Sequence, residues 1–185
     1  MKSILKTNSF LVILVTLLAV SGANAAGIGN NIVVVLAGTG TAYNGDEQFG
    51  QFGLDPMGAL CFEMDLIDAK TGDVIGSGSD CLSSITQVDT DNGMAMSLTA
   101  TTFFHFPGGT LISRGQVTVQ PVLDGSAGYT HITGAVPAPT VNNVLYGDGK
   151  FKKAAGSVRL SGLVNLSDLE SMGKITFDCV FVIDI

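Results

Sequence analysis

Basic residues are scarce in this chain. Nine Lys and Arg stand against sixteen Asp and Glu, and charged residues make up only 14% of the 185. A protein that neutralises phosphates needs a surplus of Lys and Arg, so neither nucleic acid nor an anionic membrane is an expected partner. Cysteine is sparse too. Cys61, Cys81 and Cys179 form no C-x-x-C pair, which leaves zinc and dithiol redox chemistry without a motif. His105 and His131 each stand alone in their segments, with no Ser or Cys nucleophile beside them. Two cofactor-like patterns also fail. "AGTGTAY" carries Gly38 and Gly40 of a dinucleotide fingerprint but has Tyr43 at the third glycine position. "DTDNG" begins like a calcium loop at Asp89, yet its last ligand position falls on Ala100 rather than Glu. No cofactor and no metal are therefore expected.

The one long apolar run lies at the N-terminus. "MKSILKTNSF" carries Lys2 and Lys6, "FLVILVTLLAV" follows, and "SGANAAG" places Ala23 and Ala25 at small-residue spacing. This order reads as a secretory signal peptide over residues 1–25. The apolar run is about half of the ~20 residues that a spanning helix needs. The expectation is cleavage after Ala25, a secreted or periplasmic location, and no membrane attachment afterwards. Residues 26–185 fit one domain. Without Lys2 and Lys6, seven basic residues face the sixteen acidic ones, a net charge of −9. The mean hydropathy is nonetheless positive, which points to a large apolar interior or an apolar cavity.

That domain reads as strands and turns. Short runs of β-branched and aromatic residues are punctuated by Gly, Asn and Asp. "NIVVVLAG", "ALCFEMDLID", "VIGSGSDCLSSI", "MAMSLTATTFFHF", "GGTLISRGQVTVQ", "GYTHITG", "GSVRLSGLVNL" and "KITFDCVFVIDI" are the strand candidates. "TGTAYNGDEQFGQFGLDPMG" reads as a long polar connection, and no segment has a helical apolar period. About eight strands with no helix imply an antiparallel barrel or sandwich. The barrel leaves no free edge.

In "ALCFEMDLID", Leu60, Phe62, Met64 and Leu66 alternate with Cys61, Glu63 and Asp65, the period of a half-buried strand. A hairpin turn centred on Thr71 places Cys61 directly opposite Cys81. Opposed Cβ atoms lie ~4.5–5.5 Å apart and a disulfide wants roughly 3.5–4.5 Å, so a Cys61–Cys81 bridge is feasible but tight. A bridge from either residue to Cys179 is the alternative. In both cases an oxidising compartment leaves one disulfide and one thiol.

The second half of the chain carries a recognisable order of residues. "TATTFFHFPGGTLISRGQVTV", "THITG" and "GDGKFKKAAGSVRL" resemble the allene oxide cyclase / dirigent barrel superfamily over residues 97 to 160. Ile132, Thr133, Gly134, Gly147, Gly149, Phe151, Ala154, Gly156, Val158 and Leu160 match its spaced pattern. The departure is "AVPAPTVNNVLY", which separates two pieces that are nearly contiguous in the family. Within "GDGKFKKAAG" the glycines serve tight turns or close approaches, with Phe151 and Ala154 buried and Lys150, Lys152 and Lys153 solvated at a rim. The form G-x-x-x-x-G-K-[ST] of a phosphate loop is absent.

The resemblance implies an antiparallel eight-stranded β-barrel of the allene oxide cyclase / dirigent type, holding an apolar small molecule. It also implies a cyclase or isomerase that orients an unsaturated substrate within the barrel. Its alternative is a non-catalytic dirigent-like guide, a carrier or a structural barrel. "CFEMDLID" resembles the family's opening strand, and Glu63 would then be a carboxylate near the barrel bottom. Glu63 and His105 are the candidate catalytic residues, the His as an acid or base near neutral pH. Phe62, Phe104, Phe106 and His131 are the candidate substrate-binding residues. Family members associate into dimers or trimers, so a homo-oligomer is expected.

Overall fold

A computed structural model describes residues 31–90, 93–122, 128–134 and 141–185. The expected signal peptide, residues 1–25, lies outside the described residues, as do positions 135–140 of the segment that interrupts the family pattern. The elements run β1 (Asn31–Thr41), β2 (Tyr43–Asn44), α1 (Asp46–Gln51), β3 (Leu60–Asp68), β4 (Val74–Thr90), β5 (Gly93–Phe106), β6 (Gly109–Pro121), β7 (Tyr129–Gly134), β8 (Val144–Gly147), β9 (Ser157–Asn165), α2 (Leu169–Met172) and β10 (Lys174–Asp184).

Pairing follows β1-β10-β9-β7-β6-β5-β4-β3, and β3 pairs back to β1. The result is a closed antiparallel barrel of eight strands. Closure removes the free edges that an open sheet would expose. β2 adds to β3, and β8 pairs with β6 beyond the end of β7. The connection expected at residues 39–58 is more ordered than its composition suggests, because it contains the end of β1, β2 and α1. The loop expected after Gly134 likewise includes β8.

Period-two alternation decides which side chains meet. Phe62, Met64 and Leu66 of β3 face inward and are buried, while Glu63 and Asp65 face out and are exposed. β10 repeats the pattern with Ile175, Phe177, Cys179, Phe181 and Ile183. Together with Val34, Leu36, Phe104, Phe106, Leu111 and Leu160, these form one continuous core. Burying each such side chain stabilises the fold by about 1.5–3 kcal/mol.

The β3–β4 hairpin keeps the expected register from Leu60 to Leu66 and slips by one residue before Ile67. Cys61 therefore faces Cys81, and the two are disulfide-bonded with Cα atoms 3.9 Å apart. Cys179 is the buried free thiol. In the basic turn, Phe151 is buried, Ala154 packs against the core, and Lys150, Lys152 and Lys153 are exposed. Gly149 has φ +51, and a Cβ there would meet Gly108 O at 2.1 Å. Close backbone approach, not anion binding, accounts for that glycine.

Candidate functional site

The aromatic residues expected to line a substrate sit inside the barrel and pack on one another. Phe104 stacks on Phe106 with ring centroids 6.1 Å apart and meets Phe181 edge-on at 5.2 Å. Phe62 is fully buried in the same core. A cleft of about 20 Å³ reaches this core between Gly115, Asn143 and Phe181. Ligand pockets run to roughly 300 Å³ or more, so the lumen as built is core rather than pocket.

A much larger opening lies outside the wall. It is a groove of about 420 Å³ between α1 and the outer face of β3, β4 and β5. Tyr43, Asn44, Glu47, Gln48 and Gln51 line one side, and Glu63, Ser79 and His105 line the other. Glu63 and His105 are two strands apart, about 10 Å across the sheet. The inward Glu63 implied by the family resemblance is thus corrected: alternation from buried Phe62 and Met64 turns it out.

The near side of the groove is set by a local sequence. Asn44 Oδ1 accepts from Asp46 N at 2.8 Å and starts α1. Tyr43 donates its hydroxyl to Gln48 Oε1 at 2.6 Å. Burial, opposed by a Ser79 hydrogen bond, raises the Tyr43 phenol above its ordinary range, and the Glu63 charge adds to the rise. Beneath α1 lies a second apolar cluster outside the barrel, made by Phe49, Ala59, Cys61, Cys81, Phe103 and Ile112. Phe49 meets Phe103 edge-on at 5.0 Å. Gly45 crosses directly over the disulfide, where a Cβ would lie 2.3 Å from Cys61 Sγ. Arg114 fastens the following loop: Nε donates to Thr101 Oγ1 and NH2 donates to Asp55 O, both at 2.8 Å.

His105 is half-buried, with Nδ1 3.3 Å from Thr110 Oγ1. His131 lies elsewhere on the outer face, with Nε2 3.3 Å from Ser161 Oγ. The two histidines pair with Thr110 and Gln120 at opposite ends of β6, about 33 Å apart along the strand. They do not share a cavity. Among the described residues, no group of three or more His, Cys, Asp or Glu is placed to hold a metal ion, and no helix is long and apolar enough to cross a membrane.

Sequence reasoning missed Tyr43, Glu47, Gln48 and Gln51, because a short helix in a polar, glycine-rich stretch has too few apolar positions to show a period. It also missed Asp80, which faces the lumen and is fully buried. A signal for Asp80 was present: the register that opposes Cys61 to Cys81 also sets Asp80 opposite inward Phe62. Compared with protein-family models, curated proteins and solved structures, the chain matches none.

Proposed function

We propose that the protein is a secreted barrel that binds a polar small molecule in the groove between α1 and the outer face of β3–β5. The observation that carries this reading is the convergence of Glu63 and His105 on one open groove, while the lumen is occupied by its own side chains. The lining sets the ligand class. Glu47 and Glu63 favour a positive group, and Asn44, Gln48 and Gln51 offer donors and acceptors to hydroxyls. The groove lining contains no Lys or Arg. An amino sugar or a similar hydroxylated amine matches these groups. The chain's formal charge of −7 attracts such a cation from a distance.

Of the roles implied by the family resemblance, the non-catalytic guide or carrier suits this placement. A cyclase or isomerase would need its unsaturated substrate beside Phe104 and Phe106, whose rings pack on each other and on Phe181 and Phe151. Secretion agrees with the leader-like N-terminus and with the Cys61–Cys81 disulfide.

Calorimetric titration with glucosamine and its β-1,4 dimer tests the proposal. Saturable binding is expected. Glu63→Gln removes one charge-assisted hydrogen bond and weakens binding by about ten- to a hundredfold. No binding of either probe, or equal binding by the variant, contradicts the reading.

A further inference from the structure

Asp80 is the one charged residue among the buried polar side chains described. The register turns it inward, with Phe62 on one side and Thr102 on the other. Thr102 Oγ1 donates to Asp80 Oδ1 at 2.7 Å, and Oδ2 is buried without a partner. The titratable group facing it from β10 is the Cys179 thiol, pushed up to about 12 by burial, with the Asp80 charge contributing. β3 and β5 present Phe62 and Thr102, and no buried cation is described. A carboxylate oxygen needs a donor, whereas a carboxylic acid hydroxyl needs an acceptor. Water supplies both.

The wall beside this acid is incomplete. β7 pairs with residues 117–121 of β6 and β8 with residues 111–113, so the stretch between has no strand on that side. Asn143 fills in with its side chain: Nδ2 donates to Val158 O at 2.9 Å, and Val158 N donates to Oδ1 at 2.7 Å. The cleft of about 20 Å³ opens at this seam and ends at Thr102 and Ser113. That is room for about one water.

We propose that the seam is a side entrance to the lumen, and that Asp80 is an internal proton-binding site served through it. Water passes Asn143 and Gly115 and binds Thr102 and Ser113. On uptake, Thr102 passes its hydroxyl proton to Asp80 Oδ1 and takes one from a hydronium in the cleft, which becomes water. Release runs in reverse. Burial pushes the Asp80 carboxyl up to about 6 against the Thr102 hydrogen bond, so the site changes charge at mildly acidic pH. The inference is independent of the outer groove.

The test is an NMR titration of the intact, ¹³C-labelled protein. The Asp80 side-chain carboxyl resonance is followed with pH, and water contacts to the Thr102 side chain are recorded by cross-relaxation. Asp80→Asn identifies the resonance. Gly115→Val plugs the cleft; a Cβ at that position meets only Asn143 Nδ2, at 3.4 Å, so the site has space for a side chain. Reversible titration of Asp80 while the barrel amides stay folded is expected, together with a water contact at Thr102 that is lost in Gly115→Val. If the variant does not fold, the wild-type water contact and titration decide. An Asp80 resonance that moves only when the barrel unfolds, a dry Thr102, or a water contact that survives in folded Gly115→Val overturns the proposal.

Discussion

Gly45 lies so close to the Cys61–Cys81 bridge that a Cβ on it would fall 2.3 Å from Cys61 Sγ. The disulfide is therefore the floor on which β2 and α1 rest, and through them the near wall of the groove.

Replacing Gly45 by Ala overpacks this contact. Because both sulfur and Phe49 are boxed in by the outer cluster, the chain entering α1 must shift. A stability loss of about 1–3 kcal/mol is expected, together with loss of glucosamine binding. Denaturant unfolding and titration of the same sample check both.

The bridge itself spans 20 residues. Replacing both cysteines with Ser removes a constraint on the unfolded chain worth about 3 kcal/mol for a loop of that size. The urea midpoint should fall, and the slope should rise because the unfolded chain without the bridge exposes more surface.

Asp80 gives the fold a pH dependence of defined sign. Its folded value of about 6 stands above the ordinary 3.8. Below pH 3.8 the carboxyl is neutral in both states. Between there and about 6 the unfolded chain releases its proton first, so stability falls as pH rises. The deficit above pH 6 is about 3 kcal/mol. Asp80→Asn lacks this term, so the gap between variant and wild type should widen in the variant's favour from pH 4 to pH 7. Denaturation at the two pH values measures it.

Cys179 is buried and its thiol is pushed up to about 12. The thiolate is the reactive form. A disulfide-exchange reagent at pH 8 should find no thiol in the native protein and one after unfolding.

The barrel itself was legible because most strands are long and alternate cleanly. "KITFDCVFVIDI" has an apolar residue at every inward position of β10, and the alternation in "ALCFEMDLID" sets Phe62, Met64 and Leu66 on one face. The Cys61–Cys81 pairing was one of those that the sequence left open, and the register of β3 on β4 selects it. The groove was only half legible. His105 stands out as the lone ionisable residue of β5 and Glu63 as one of the acids of β3, but what joins them is the lateral order of β3, β4 and β5 in the closed sheet. Tyr43, Glu47 and Gln48 come from a two-residue strand and a six-residue helix. Such elements are held by packing on Phe103 and the disulfide rather than by their own propensity. His131 shows the limit from the other side: β5 and β7 flank the same strand, β6, yet the register sets His105 and His131 at its opposite ends.

Chemical-shift mapping of the labelled protein with glucosamine tests most directly whether the ligand site is the outer groove and the lumen is core. Saturable shifts are expected at Tyr43, Gln48, Glu63 and His105, with Phe104, Leu111 and Phe181 unmoved. Shifts centred on those three lumen residues, with the groove silent, would contradict the groove site.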